Sequence, residues 1–329
     1  MMKTRHLTVI AVTFLSVLTI ALADTVDVRE WLVPWAGSGP TSPVVDARGR
    51  VWFVGTEEDY IANFSADTAE FNRYDLRKGT EPVHLLTGVN RTLWYASHRR
   101  RLIGNLDPST GRVTEYDMPS RKAKDLRSMT FDNDGNIWFT AEDGGMVGRL
   151  EVSSGEIDLI ELPGGRSEPF GIAVNRYNEP WVTGPESASL YLVDPVHMTA
   201  IGVPLPSEDA SPHRIVITSD DLVWYTDPAS GTLGRYNPAI GEFVEWMTPG
   251  GAEARPLALT VDRYDRLWIV ETGRVPNRLI GFDTRLTSFL TITDIPSGAG
   301  SISQLYYHEP AGEVWFGTET NYIGRAVIH

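Results

Sequence analysis

The sequence predicts an all-β fold, a seven-bladed β-propeller with four antiparallel strands in each blade. Three observations predict it: evenly spaced tryptophans, a four-strand grammar repeated between them, and chain ends that complete one another. Seven of the ten tryptophans, Trp52, Trp94, Trp138, Trp181, Trp224, Trp268 and Trp315, follow at intervals of 42, 44, 43, 43, 44 and 47 residues. Four short strands in a period of about 40–45 residues is the signature of a propeller blade. No stretch carries a convincing helical period.

Within each period the elements follow one order. A β-rich run and a polar turn come first, as in Met129-Thr130-Phe131 followed by Asp132-Asn133-Asp134-Gly135-Asn136. The Trp then opens a second strand, as in Trp138-Phe139-Thr140 or Trp224-Tyr225-Thr226. A third strand reads Ile-Gly-Arg or a near relative, for example Val147-Gly148-Arg149 and Ile323-Gly324-Arg325. A turn such as Asp107-Pro108-Ser109-Thr110-Gly111 leads to a fourth strand, Val113-Thr114-Glu115-Tyr116, which closes at Pro119. One aromatic per repeat reads as blade-to-blade core rather than as ligand stacking.

The chain ends supply the third observation. The last repeat stops at His329 after its third strand, and Val26-Asp27-Val28-Arg29-Glu30-Trp31-Leu32-Val33-Pro34 has the pattern of a fourth strand. The N-terminal strand is therefore expected to complete the last blade and close the ring, which removes the exposed edges of an open array. Residues 1–23 read as a signal peptide. Lys3 and Arg5 precede the apolar run Leu7 to Ile20, and Ala21-Leu22-Ala23 supplies a small-residue cleavage site. Residues 24–329 are then a single domain, secreted or periplasmic, with no membrane insertion after cleavage. We expect it to be a monomer.

Composition narrows the chemistry. The chain has 329 residues and no Cys, so disulfides, thiolate metal sites and a thiol nucleophile are excluded. Net charge is −14, and loss of Lys3 and Arg5 leaves 27 basic against 43 acidic residues. A surface that acidic repels nucleic acid and anionic membranes. No nucleophile-elbow, phosphate-loop, zinc-helix or EF-hand spacing appears.

Blade geometry places the candidate site. The innermost strand runs toward the polar turn and the Trp strand returns antiparallel, so residues 11–13 before each Trp share a face with those 3–4 after it. Loops from every blade converge there, around the central channel. Eleven before each Trp stand Thr41, Val83, Arg127, Phe170, His213, Leu257 and Gln304. Thirteen before stand Gly39, Glu81, Asp125, Glu168, Ser211, Arg255 and Ile302, and after the Trp come His98, Glu142, Asp227, Glu271 and Glu319. Arg127, Phe170, His213, Arg255, Gln304 and His98 are the expected ligand-binding set, with His213 the catalytic candidate. Glu319, Glu142 and Asp227 are the expected metal ligands, since carboxylates on one face suit a hard cation such as Mg²⁺. His84 lies one residue beyond Val83, and strand alternation points it to the other side of its strand.

The Trp-Phe-Thr, Ile-Gly-Arg and Thr-Glu-Tyr strands with Pro-punctuated joints resemble the virginiamycin B (streptogramin B) lyase family over about residues 26–329. The resemblance implies a seven-bladed propeller that opens a cyclic depsipeptide at its ester by elimination, assisted by magnesium. It also implies a His base, a second His on substrate and two Glu on the metal. The family carries Pro-His at the channel mouth of its last two blades, the second preceded by a metal-binding Glu. By blade order those positions are Pro256-Leu257 and Ser303-Gln304 here, with Ile302 at the Glu position and Glu319 on a metal-binding one. Registering on Pro-His instead places His213 on the substrate-contacting position, Leu257 on the base and Arg255 on the metal ligand. In both registers the proton acceptor is absent. The expected function is therefore an exported propeller binding a small-molecule ligand or an exported protein at the channel mouth. The alternative is an active metal-assisted C–O lyase using a rearranged site.

Overall fold

The computed structural model describes residues 26–328, so the expected signal segment lies outside the described residues. Seven four-stranded antiparallel sheets are arranged as blades, and six of them use four consecutive strands. The seventh has the spatial order Asp27–Leu32, Tyr322–Val327, Glu313–Gly317, Leu305–His308. The N-terminal strand thus supplies the outermost strand of the last blade, paired from Asp27↔Val327 to Leu32↔Tyr322. Trp31 stacks on Trp315 at 5.8 Å, and Asn321 Nδ2 donates to the Val33 carbonyl at 2.8 Å just beyond the strand.

The repeated sequence signs have packing causes. All seven period tryptophans are buried between blades. In several repeats the indole N–H donates to the first side chain of the polar turn, as Trp138 does to Asp132 and Trp268 to Asp262, each at 3.1 Å. Asp132 also accepts the amides of Asp134 and Asn136, so one carboxylate ties the turn to the core aromatic. The aromatic after Trp faces the Gly of the third strand, pairing Tyr95 with Gly104, Phe139 with Gly148, Tyr225 with Gly234 and Phe316 with Gly324. The ring lies flat over that glycine. A Cβ at Gly148 would sit 2.2 Å from Phe139 Cζ. The Arg that follows stands opposite the Trp and covers it: the Arg149 guanidinium is 5.7 Å from the Trp138 ring.

The ring-over-glycine contact yields a measurable consequence. Phe139 is fully buried and cannot swing aside, so Gly148→Ala should overpack the third blade and cost about 2 kcal/mol or more in urea unfolding. Phe139→Leu in the same chain should recover part of that loss. Equal stability of Gly148→Ala and the parent would show that the contact does not constrain the blade.

Candidate functional site

The backbone at the channel mouth is set by a threonine two residues after Trp. Thr140, Thr183 and Thr226 each accept the amide of their own innermost strand, from Ser128, Gly171 and Arg214 at 2.8–3.2 Å. Each also donates to the next blade, to the carbonyls of Phe170 at 2.9 Å, His213 at 2.6 Å and Leu257 at 3.2 Å. One hydroxyl therefore positions the mouth residue of its neighbour. Four innermost strands are bulged near the mouth, between Thr41 and Val44, Pro82 and His84, Leu126 and Met129, and Pro256 and Ala258.

The bulges change which side chains face inward, because an extra residue breaks strict alternation. His84 does not point to the other side of its strand, as alternation had implied; it lines the channel with Ser42, Ser128, Gly171, Arg214 and Leu305. All six stand ten residues before their Trp. Arg214 is the functional-site residue that spacing arguments missed. It lines both the channel cavity, of about 210 Å³, and the mouth pocket above it, of about 330 Å³.

The mouth pocket is lined by Arg127, Phe170 and Gln304 of the expected ligand-binding set, with Glu319 at its edge. Phe170 is the hub. The guanidinium carbons of Arg214 and Arg127 lie 4.8 and 5.9 Å from its ring centre, and the His213 ring is 4.7 Å away. Gln304 Nε2 donates to the Val83 carbonyl at 3.0 Å, linking the last blade to the second. His213 Nδ1 faces the Ser211 carbonyl at 3.1 Å. A carbonyl only accepts, so Nδ1 carries the proton and Nε2 keeps its lone pair. Burial pulls the His213 pKa below the ordinary imidazole range, so the ring is neutral at pH 7.

Other expected site residues are spent elsewhere. His98 Nε2 is 3.8 Å from Asp125, and Arg255 is exposed; neither lines the mouth pocket. Five of the residues thirteen before Trp, including Glu81, Asp125, Glu168 and Arg255, have left-handed backbone with φ between 44° and 58°. These are turn positions rather than wall positions. The three carboxylates expected to hold a metal do not form one site. Glu142 is ion-paired with Arg127. Asp227 is buried, and its Oδ1 accepts the amides of Ser211, Ala229 and Ser230. Glu319 is exposed and shares the mouth pocket with Glu57. Among the described residues no three His, Asp or Glu side chains are grouped as metal ligands.

Two depressed imidazoles make stability depend on pH. Burial, with the nearby Arg214 charge, pushes His84 down to about 3, and burial lowers His213. In the unfolded chain both take up a proton near pH 6.5, so falling pH favours unfolding. Stability should decline from pH 6.5 to 5, and His84→Gln should reduce that slope by up to about 1.4 kcal/mol per pH unit, one proton's worth. Urea melts across this window check it; an unchanged slope would mean that His84 titrates normally.

Comparison with known proteins agrees with the architecture. Virginiamycin B lyase from Staphylococcus aureus superposes with a TM-score of 0.83 at 22% identity, covering 92% of this chain and 100% of that one. A catalytically inactive histidine-to-alanine variant of the same enzyme, with quinupristin, gives 0.83 at 23% identity, again over 92% and 100% of the two chains. The extracellular domain of BT4673 from B. thetaiotaomicron matches at a TM-score of 0.70 and 14% identity, over 92% of this chain and 40% of that one. At these identities the likeness is one of fold. Comparison with curated protein sequences finds no significant match. The model of the virginiamycin B lyase family matches residues 12–275, most of the chain, and this protein belongs to that family.

Proposed function

We propose that this protein is an exported propeller that binds a ligand at its channel mouth without performing the lyase reaction. The observation that carries this reading is the composition of the mouth pocket. Its lining offers two guanidiniums, an aromatic ring, an amide, hydroxyls and the carboxylates of Glu57 and Glu319, and among the described residues there it holds no histidine. The inactive S. aureus variant differs from its parent by a histidine. Here the family's base positions are Leu257 and Gln304; an alkyl group and an amide take no proton. Guanidinium and aromatic groups around one opening suit a ligand with polarised carbonyl or anionic oxygens beside an apolar face, whether a small molecule or a segment of an exported protein. Export rests on residues 1–23. The likeness to an extracellular domain supports it, and no helix among the described residues is long and apolar enough to cross a membrane.

One observation favours a second reading. His213 is neutral, has Nε2 free of any hydrogen-bond partner among the described residues, and stands beside the Phe170 hub. It is the group that would take a proton if a metal-assisted C–O lyase operated from a rearranged site. Of the three expected magnesium ligands Glu319 is the one at the mouth, and Glu57 is the carboxylate that shares its pocket. Two exposed carboxylates do not make a built metal site.

Incubation of the full chain with quinupristin and Mg²⁺, followed by liquid chromatography and mass spectrometry, separates the readings. We expect the cyclic compound to be returned intact. Appearance of the linear, ring-opened product would overturn the binding reading. His213→Ala should then abolish turnover.

A further inference from the structure

The cavity beneath the mouth holds one full charge and nothing to balance it. Among the described residues lining it, Arg214 is the one formally charged side chain at pH 7, and no Asp or Glu is present. Arg214 is only 9% exposed. Its Nε donates to the Ser303 carbonyl at 2.7 Å and its Nη1 to Ser128 Oγ at 2.8 Å, and among the described residues no carboxylate forms an ion pair with it. A guanidinium has five N–H donors, so three remain.

A cross-channel tie is the plain structural reading, since these bonds join the fifth blade to the third and seventh. That reading accounts for the hydrogen bonds but not for the charge. A buried cation without a partner is costly, and the Phe170 face at 4.8 Å offsets only part of it. In a chain of net charge −14, acids are plentiful, yet among the described residues none lines this cavity. The walls around the guanidinium are largely apolar, including Leu86, Phe131, Ile172 and Leu259.

We propose that the channel is a binding site for a monocarboxylate with a short apolar tail. The carboxylate takes the free N–H groups of Arg214, whose planar fork matches two oxygens, and the tail lies against the apolar walls. One cation balances one negative charge; a dianion would leave a charge stranded in an apolar cavity. Because Arg214 also lines the mouth, the carboxylate could come from a small free acid or from an arm of a larger mouth ligand. The channel site stands independently of whether the mouth binds or cleaves quinupristin.

The test is a titration of the full chain with carboxyl-¹³C-labelled butyrate at pH 7 and fixed ionic strength, read by line broadening. We expect saturable one-to-one binding that sulfate does not displace. Arg214→Met should weaken it at least tenfold, while Arg214→Lys, which keeps the charge and loses the fork, should fall between. Near-UV circular dichroism checks that both variants keep the packed tryptophans. Equal binding by a folded Arg214→Met, or displacement by sulfate, overturns the proposal. If Arg214→Met does not fold, the parent titration decides alone: absence of a saturable component overturns it. Tighter binding of hexanoate and phenylacetate than of butyrate identifies an arm reaching to the mouth. A peak at acetate or butyrate identifies a free small acid, and both of these results uphold the site.

Discussion

Completion of the seventh blade by the N-terminal strand is the constraint on which the remaining structure rests. Each period tryptophan is buried between its own blade and the next, as Trp315 is against the first blade, and the last blade has three strands of its own until Asp27–Leu32 joins it. Six backbone-paired positions, the Trp31–Trp315 stack and the Asn321–Val33 bond turn an open array into a ring. Closure covers strand edges that would otherwise pair with other chains. It also brings the seventh blade's Gln304 and Ser303 against residues of the second and fifth.

Ring closure is transmitted to the site through the threonine relay. Thr140, Thr183 and Thr226 each hold an amide of their own blade and a carbonyl of the next, so the neighbouring blade adds a tie to mouth residues whose own blade already holds them, as the amides of Phe170 and His213 donate to the Thr183 and Thr226 carbonyls. In the second blade the bulge between Pro82 and His84 brings His84 to the channel, and in the fifth Arg214 reaches it from the residue before the innermost strand, its amide held by Thr226. Rigid scaffold and adaptable wall are thereby separated. The Trp, Gly and Thr positions repeat because packing demands them, while the residues ten and eleven before each Trp vary freely and carry the chemistry.

The electrostatics of the site run against those of the whole. An acidic chain encloses a channel whose described charged group is a guanidinium, with a second guanidinium at the rim paired to Glu142. Phe170 lies among Arg127, Arg214 and His213, so the opening sets guanidiniums against an apolar face, with Glu57 and Glu319 on the same wall. Family membership accounts for the ring, and Leu257 and Gln304 put an alkyl group and an amide, neither of which takes a proton, eleven residues before their tryptophans.

The sequence by itself determined the repeat number, the four-strand blade, the closing strand and the burial of the tryptophans. These follow from periodic packing, in which each repeat meets the same demand and leaves the same mark, as when a ring beside every Ile-Gly-Arg requires a missing Cβ. It also placed Arg127, Phe170 and Gln304 on the mouth wall, since they lie at a fixed offset from the Trp of each repeat. Only the tertiary structure decided the channel lining, because bulges cancel the alternation by which His84 would have turned away. Only it separated Glu142, Asp227 and Glu319, because a carboxylate's partners come from other blades and loops and leave no periodic trace. Arg214 shows the same limit. Its neighbours Ser128 and Ser303 are 86 and 89 residues away in the chain, and only a closed ring brings them to one guanidinium.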